Sequence, residues 1–308
     1  MAINDKKGHV HGKIGPLVYR SSKGQQIVQS LPRKFKQTTS TKLTGHEFGL
    51  ASTISATMRR VIGMIIDQAD SKMAYRFTGM IRQCLHHSEK SIGERDLHDV
   101  HLSDLRGFQF NLDAPFERVL KKSPVSMVDE QGVLRFELDI SDTEKDFAFV
   151  QRNSKIIPAV KITSIAFDFR QNTVQTIDYQ EFKIPDHQPY TIRYTSNKNL
   201  PTGSIMMILM SLHYYTNGWL TDLKPVHDPR YNAAGILHAF HVTDRMTEKG
   251  DRELFIPLGE SMPIVHGAAK KLHEMHQLII KEKERQHADK KAKDTSPRLI
   301  YAKRNHKR

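Results

Sequence analysis

The chain has a single cysteine, Cys84, in 308 residues. An intramolecular disulfide is therefore excluded, and this usage fits a reducing compartment. Long apolar runs are missing too. The longest, residues 205–212, is interrupted by Ser211 and falls well short of the roughly 20 residues a membrane helix needs. No apolar stretch follows the charges of the opening Met-Ala-Ile-Asn-Asp-Lys-Lys-Gly, so no secretory signal is expected. Catalytic signatures are also absent: no Gly-x-Ser-x-Gly elbow, no Gly-x-x-x-x-Gly-Lys-[Ser/Thr] phosphate loop and no dinucleotide fingerprint. Gly8, Gly12 and Gly15 lack the strand-then-helix context such a loop requires. These absences predict a cytoplasmic protein that is not an enzyme, takes no cofactor and does not insert into a membrane.

What is present is charge, concentrated at the two ends. Residues 1–44 hold nine Lys/Arg against one acid, Asp5, and residues 270–308 hold thirteen against five. Each end is +8 in a chain of net +13, so the 225 residues between carry −3. A mildly acidic body with two basic arms suits contact with a polyanion or an acidic partner.

Within the first arm, residues 16–20 and 25–29 have strand composition, and Ser21-Ser22-Lys23-Gly24 between them predicts a hairpin turn. A two-stranded hairpin is marginal alone, so it is expected to dock on a partner or on the body. Thr44-Gly45-His46-Glu47 has capping-box spacing. Phe48, Ala51, Ser55, Met58, Ile62 and Ile65 then recur at helical intervals, predicting a helix over 45–67. Met73, Phe77, Met80, Ile81 and Cys84 predict a second over 71–87, antiparallel to the first.

From about 105 the period changes to two. Residues 108–112 and 133–140 alternate, and 160–169, 174–184, 190–195, 205–215 and 235–242 are further strand candidates. Short strands at this spacing predict a β-sandwich or barrel, with 205–212, apolar on both faces, at the centre of a sheet. Ala268, Leu272, Met275 and Ile279 predict a helix over 267–285. Its charged continuation runs to Pro297, which ends any helix. The expected architecture is α+β: a basic arm with a β-hairpin (1–44), a helical region (45–104), an antiparallel β-sandwich (105–258), and a C-terminal helix with a basic tail (259–308).

Candidate chemistry is sparse. Asp96, His98, Asp99, His101 and Asp104 are the densest set of metal-ligand types, with His98 and His101 placed to share a helix face. A solvated polar connector is the favoured account of them, and no metal is expected. His273 and His276 flank Glu274 at i, i+3, which fails the i, i+4 spacing of a zinc-protease helix. Cys84 has Arg82, His86 and His87 nearby, yet it lies on the apolar stripe where a thiol acts as a small hydrophobe.

The arms hold the remaining signal. Lys13, Arg20, Lys23, Arg33, Lys34 and Lys36 are interleaved with Tyr19 and Phe35, which combines charge for phosphate with rings for stacking. Arg298, Tyr301, Lys303, Arg304, Lys307 and Arg308 repeat the mixture at the other end, where Lys290, Lys291, Lys293 and Arg304 are the candidate contacts. Arms of this kind contact phosphate without reading sequence, so nucleic-acid binding would be weakly specific and salt dependent. The other use of such arms is docking onto an acidic protein surface or a neighbouring subunit.

The stretch Gly12-Lys13-Ile14-Gly15-Pro16-Leu17-Val18-Tyr19-Arg20, followed by Gly24-Gln25-Gln26-Ile27-Val28-Gln29-Ser30-Leu31-Pro32, resembles the opening of uncharacterised proteins common in Bacteroidetes genomes. These share a Gly-Lys-x-Gly hairpin, an Arg/Ser-x-Pro exit and a helix opening near a Phe, as Phe48 does here. The resemblance covers about the first 65 residues and implies a bacterial origin and a β-rich continuation. It assigns no activity and no catalytic residue. The functional expectation is a structural or assembly protein whose arms dock onto protein partners or further copies of itself. A nucleic-acid-binding accessory protein is the alternative.

Overall fold

The computed structural model describes residues 2–6, 8–22, 24–31, 37–148, 156–171, 173–185, 188–196, 200–217, 223–246, 256–257, 277–278, 280–285, 287–288 and 291. The chain divides into two compact units, Met1–Lys42 and Leu43–Arg308. It is a mixed protein of helices and antiparallel sheets.

The first unit is a four-stranded antiparallel sheet in sequence order: β1 (Ile3–Asn4), β2 (Val10–Ile14), β3 (Leu17–Ser22) and β4 (Gln25–Ser30). The expected hairpin is β3–β4, extended by two further strands. Gly15-Pro16 is the two-residue loop between β2 and β3, and Gly24 lies in the turn between β3 and β4. Both connections close because Gly15 (φ +55) and Gly24 (φ +78) adopt a region that side chains rarely enter. Gly12 is no loop residue; it lies within β2 opposite Tyr19.

The first helix, α1, spans Thr39–Ile62 and starts a turn and a half before the capping-box motif. Its cap is Thr38, whose Oγ1 accepts the Thr41 amide at 3.3 Å. Thr44 and Glu47 therefore sit inside the helix. Glu47 is buried and accepts from Arg95 Nη1 (3.0 Å) and the Gly93 amide (3.3 Å) instead of from its own helix. The second helix, α2, spans Met73–His86, close to expectation. Thr78 donates to Ser55 Oγ at mid-helix (2.9 Å), and His86 at the end of α2 faces Glu47 near the start of α1 (3.8 Å), so the pair is antiparallel.

Two one-turn helices, α3 (Phe116–Val119) and α4 (Thr143–Asp146), flank β5 (Val125–Val128) and β6 (Leu134–Ile140). The long strands follow: β7 (Ile156–Asp168), β8 (Thr173–Lys183), β9 (Tyr190–Thr195), β10 (Ile205–Asn217), β11 (Leu223–Pro225), β12 (Ala234–His241) and β13 (Ile256–Pro257). They form a six-stranded antiparallel sheet, β11-β10-β7-β8-β13 with β12 also on β10, and a three-stranded sheet β5-β6-β9.

Strand β10 shows why 205–212 is apolar throughout. Its odd residues Ile205, Met207 and Leu209 join Ile165, Phe167, Ala234 and Ile236 in a core with α1 and α2. Its even residues Met206, Ile208, Met210, Leu212 and Tyr214 join Val160, Ile162 and Ala166 in a second core with Leu134, Phe136, Leu138 and Ile140 of β6 and Ile192 of β9. Alternation places the two sets on opposite faces. The six-stranded sheet is thus covered by helices on one side and by the small sheet on the other. This three-layer arrangement departs from the expectation of two sheets alone. Residues 108–112 also depart from it. They form a bridge at Gln109–Gly235, flanked by backbone bonds to β12, and not a strand.

Positions 277–278, 280–285, 287–288 and 291 are helical, and Lys283 pairs with Glu94 at 2.5 Å. The expected apolar positions Ala268, Leu272, Met275 and Ile279 lie outside the described residues, as do His273 and His276. No helix among the described residues is long and apolar enough to cross a membrane.

Candidate functional site

The N-terminal sheet sorts its side chains by strand register. Gly12 pairs with Tyr19, and Tyr19 with Val28; Ile14 pairs with Leu17, and Leu17 with Ser30. Cross-strand partners share a face and neighbours in sequence do not. One face therefore carries Val10, Gly12, Ile14, Leu17, Tyr19, Ser21, Gln26, Val28 and Ser30, with no Lys, Arg, His, Asp or Glu among them. The opposite face carries His11, Lys13, Val18, Arg20, Ser22, Gln25, Ile27 and Gln29. An uncharged, apolar-centred face is set back to back with a basic one.

Neither face is buried. Among the described residues none before Glu47 is classed as buried, and Ile14 (50% exposed), Leu17 (36%) and Val28 (51%) lie open on the uncharged face. The edge strand β4 is uncharged too. Leu31 donates its amide back to Pro16 O at 2.5 Å, so by alternation the amides of Gln26, Val28 and Ser30 point along the free edge. Natural edges are usually blunted by charge or proline, and Gln25–Ser30 has neither.

Of the basic residues expected to bind a partner, Lys13 and Arg20 are brought to one exposed face. Tyr19, adjacent to Arg20, points to the opposite face, so the expected pairing of charge with a stacking ring fails there. Lys291 is exposed on a helical position. Lys23, Arg33, Lys34, Phe35, Lys36, Lys290, Lys293, Tyr301 and Arg304 lie outside the described residues.

In the body, the Asp96–Asp104 set does not converge. Residues 97–99 form one 3-10 turn before the chain extends at Val100, so His98 and His101 share no helix face. Asp96 and Asp99 grip Arg170, each at 2.7 Å, and Asp104 takes His87 Nε2 at 2.8 Å. The buried His98 accepts the Phe169 amide on Nε2 (3.1 Å), which leaves Nδ1 to donate to Gly203 O (3.0 Å). Burial lowers its pKa, and both ring nitrogens are used. Among the described residues no group of three or more His, Cys, Asp or Glu is placed to hold a metal. Cys84 is fully buried, and that burial, with Asp104 nearby, pushes its thiol up to about 12. It packs as a hydrophobe.

One constellation escaped the sequence reading. His213 Nδ1 lies 2.6 Å from Asp67 Oδ2, and its Nε2 lies 2.8 Å from Ser211 Oγ. Burial works to raise the Asp67 pKa, but the His213 hydrogen bond and the charges of His213, His227 and Lys161 hold it below the usual carboxylate range. The connectivity is that of a nucleophilic serine array. However, Ser211 is 3% and His213 2% exposed beneath the helical layer, so a substrate carbonyl does not reach Oγ. The chain of bonds latches the α1–α2 connection onto β10. Asp67 and His213 are 146 residues apart, so only Ser211-x-His213, two residues apart on one strand face, was visible in sequence. A recess of about 740 Å³ is lined by Glu130, Gln131, Thr243, Asp244, Arg245 and Met246, none of them buried.

No known family model matches the chain, and no curated protein is significantly similar to it.

Proposed function

We propose that this is a non-enzymatic assembly protein, in which the N-terminal sheet is a docking module and the layered body is its carrier. The observation that supports this is the open, uncharged face centred on Ile14, Leu17, Tyr19 and Val28. A sheet with one apolar face is stable only when that face is buried against another layer, and no described residue of this unit supplies one. The partner is therefore protein: a neighbouring subunit or another component. The single thiol, buried as Cys84, accords with cytoplasmic assembly.

Light scattering with size exclusion, on the full chain and on a variant lacking residues 1–36, tests this reading at about 0.1 M and about 0.5 M salt. The full chain should form larger species that carry no excess 260 nm absorbance, and the deletion should remove them. Identical profiles for the two would sink it.

Polyanion contact is the second reading, favoured by the co-facial Lys13 and Arg20. It predicts affinity for duplex DNA that falls with salt at a log–log slope of about −0.9 per phosphate contacted. A slope near zero would exclude it.

A further inference from the structure

We infer that the occupant of the uncharged face is the same face of a second copy of this chain, packed sheet on sheet about a two-fold axis. This rests on the docking reading above and names its partner. Three observations favour a copy over other occupants.

The first is charge. Of the Lys, Arg and His in residues 1–44, those that lie on β2 and β3 (His11, Lys13 and Arg20) are all on the other face, so none of them is brought into the contact. Face-to-face packing puts His11, Lys13 and Arg20 of each copy outward. They are then separated by more than the roughly 10 Å between stacked sheets, beyond a Debye length of about 8 Å at physiological salt. The second is self-complementarity. A patch of Ile14, Leu17, Tyr19 and Val28, with small or amide side chains around it, meets its own image without stranding a buried charge. The third is size. A unit of 42 residues, none of whose described residues is buried, is close to the size below which disulfides, metals or oligomerisation make up for a missing core, and of these oligomerisation needs no further group.

Area sets the strength. Four strands about 4.8 Å apart and about five residues long give a footprint of roughly 300 Å² per copy, well under the roughly 800 Å² per partner of a standard interface. The dimer should therefore be weak and concentration dependent. Because it is apolar and its cations face outward, added salt should strengthen it, whereas salt would weaken a polyanion contact.

The test places one cysteine on each face at adjacent positions of the full chain, Tyr19→Cys and Val18→Cys, since the native Cys84 is buried. Each is treated with a short bismaleimide. Sedimentation velocity of the unsubstituted chain runs alongside, from about 5 to about 500 µM, where so small an interface dissociates. Support is a dimer that grows with concentration and salt, together with at least fivefold more cross-linking for Tyr19→Cys than for Val18→Cys. Equal cross-linking of both, or none with a monomer throughout, overturns the inference. In a monomer, maleimide labelling then separates the two failures. Free labelling of Tyr19→Cys means the face is open to a different partner, and the docking reading survives. Protection of Tyr19→Cys but not of Val18→Cys means the same chain covers the face, and both readings fall.

Discussion

Two of the three antiparallel sheets among the described residues, the six-stranded one of the body and the N-terminal one, are built on the same alternation and finished differently. In the body, β10 buries odd residues under α1 and α2 and even residues under β6 and β9, so each face of the six-stranded sheet has its own layer. In the N-terminal unit the same period sorts Ile14, Leu17, Tyr19 and Val28 from Lys13 and Arg20, but no described residue there becomes buried. The body completes its cores within the chain, whereas the arm presents a half-finished one. That difference is the observation on which the docking proposal rests.

The largest contrast lies in stability. Leu209→Ala in β10 should cost about 2.7–5 kcal/mol in chemical denaturation, because its cavity is walled by helices and sheet. Val28→Ala, half exposed, should change the same transition by less than about 0.5 kcal/mol. Comparable losses at both sites would mean that the arm shares the core of the body.

Arg95→Ala comes next. It strands the buried Glu47 carboxylate and should cost about 3 kcal/mol, measured as a drop in denaturation midpoint. Glu47→Gln in the same background should recover part of that loss. No recovery would show that Glu47 is not stranded in the Arg95 variant.

Asp67→Asn should be milder, about 1–2 kcal/mol at neutral pH, and its signature is the pH profile. The folded pKa of Asp67 is depressed below the ordinary aspartate value of about 3.8. Its contribution is therefore complete above about 3.8 and lost as pH falls through the lower folded value. Stability of the parent should decline more steeply below pH 4 than that of the variant, and parallel acid limbs would contradict the latch.

The smallest stability effect, within about 0.5 kcal/mol, is expected for Arg20→Glu on an exposed strand face. On the proposed reading it should leave self-association through the opposite face intact while weakening any affinity for duplex DNA and lowering its salt slope by about 1. Loss of both would place the two activities on one surface.

Much of this layout was legible in the sequence where one residue faces one environment. Leu134, Phe136, Leu138 and Ile140 alternate with Arg135, Glu137 and Asp139, and β6 buries the first set. The two-faced run in β10 marked the sheet centre correctly because burial on both sides leaves no polar phase. Failures came where a local motif had a second outlet. Thr44 and Glu47 have capping spacing, but Arg95, 48 residues on, claims the carboxylate while Thr38 caps the helix. Phe108, Phe110 and Leu112 alternate like a strand. However, Asp70 holds the Leu112 amide at 3.0 Å and Arg76 holds Gln109 O at 2.9 Å, so the pairing with β12 stops at one bridge. Arg20 beside Tyr19 suggested a joint phosphate-and-stacking site, which strand alternation forbids. The Asp67–His213 contact has no local trace at all.

The most direct measurement is amide hydrogen exchange of the full chain at two concentrations, comparing Val18 and Ile27, whose amides point into the β3–β4 ladder, with Met207. Met207 should be protected to the level of global unfolding at both. Val18 and Ile27 should exchange orders of magnitude faster in dilute protein and slow as concentration rises, as a sheet without its own second layer requires. Protection of Val18 and Ile27 that equals Met207 in dilute protein would contradict the contrast between the two sheets.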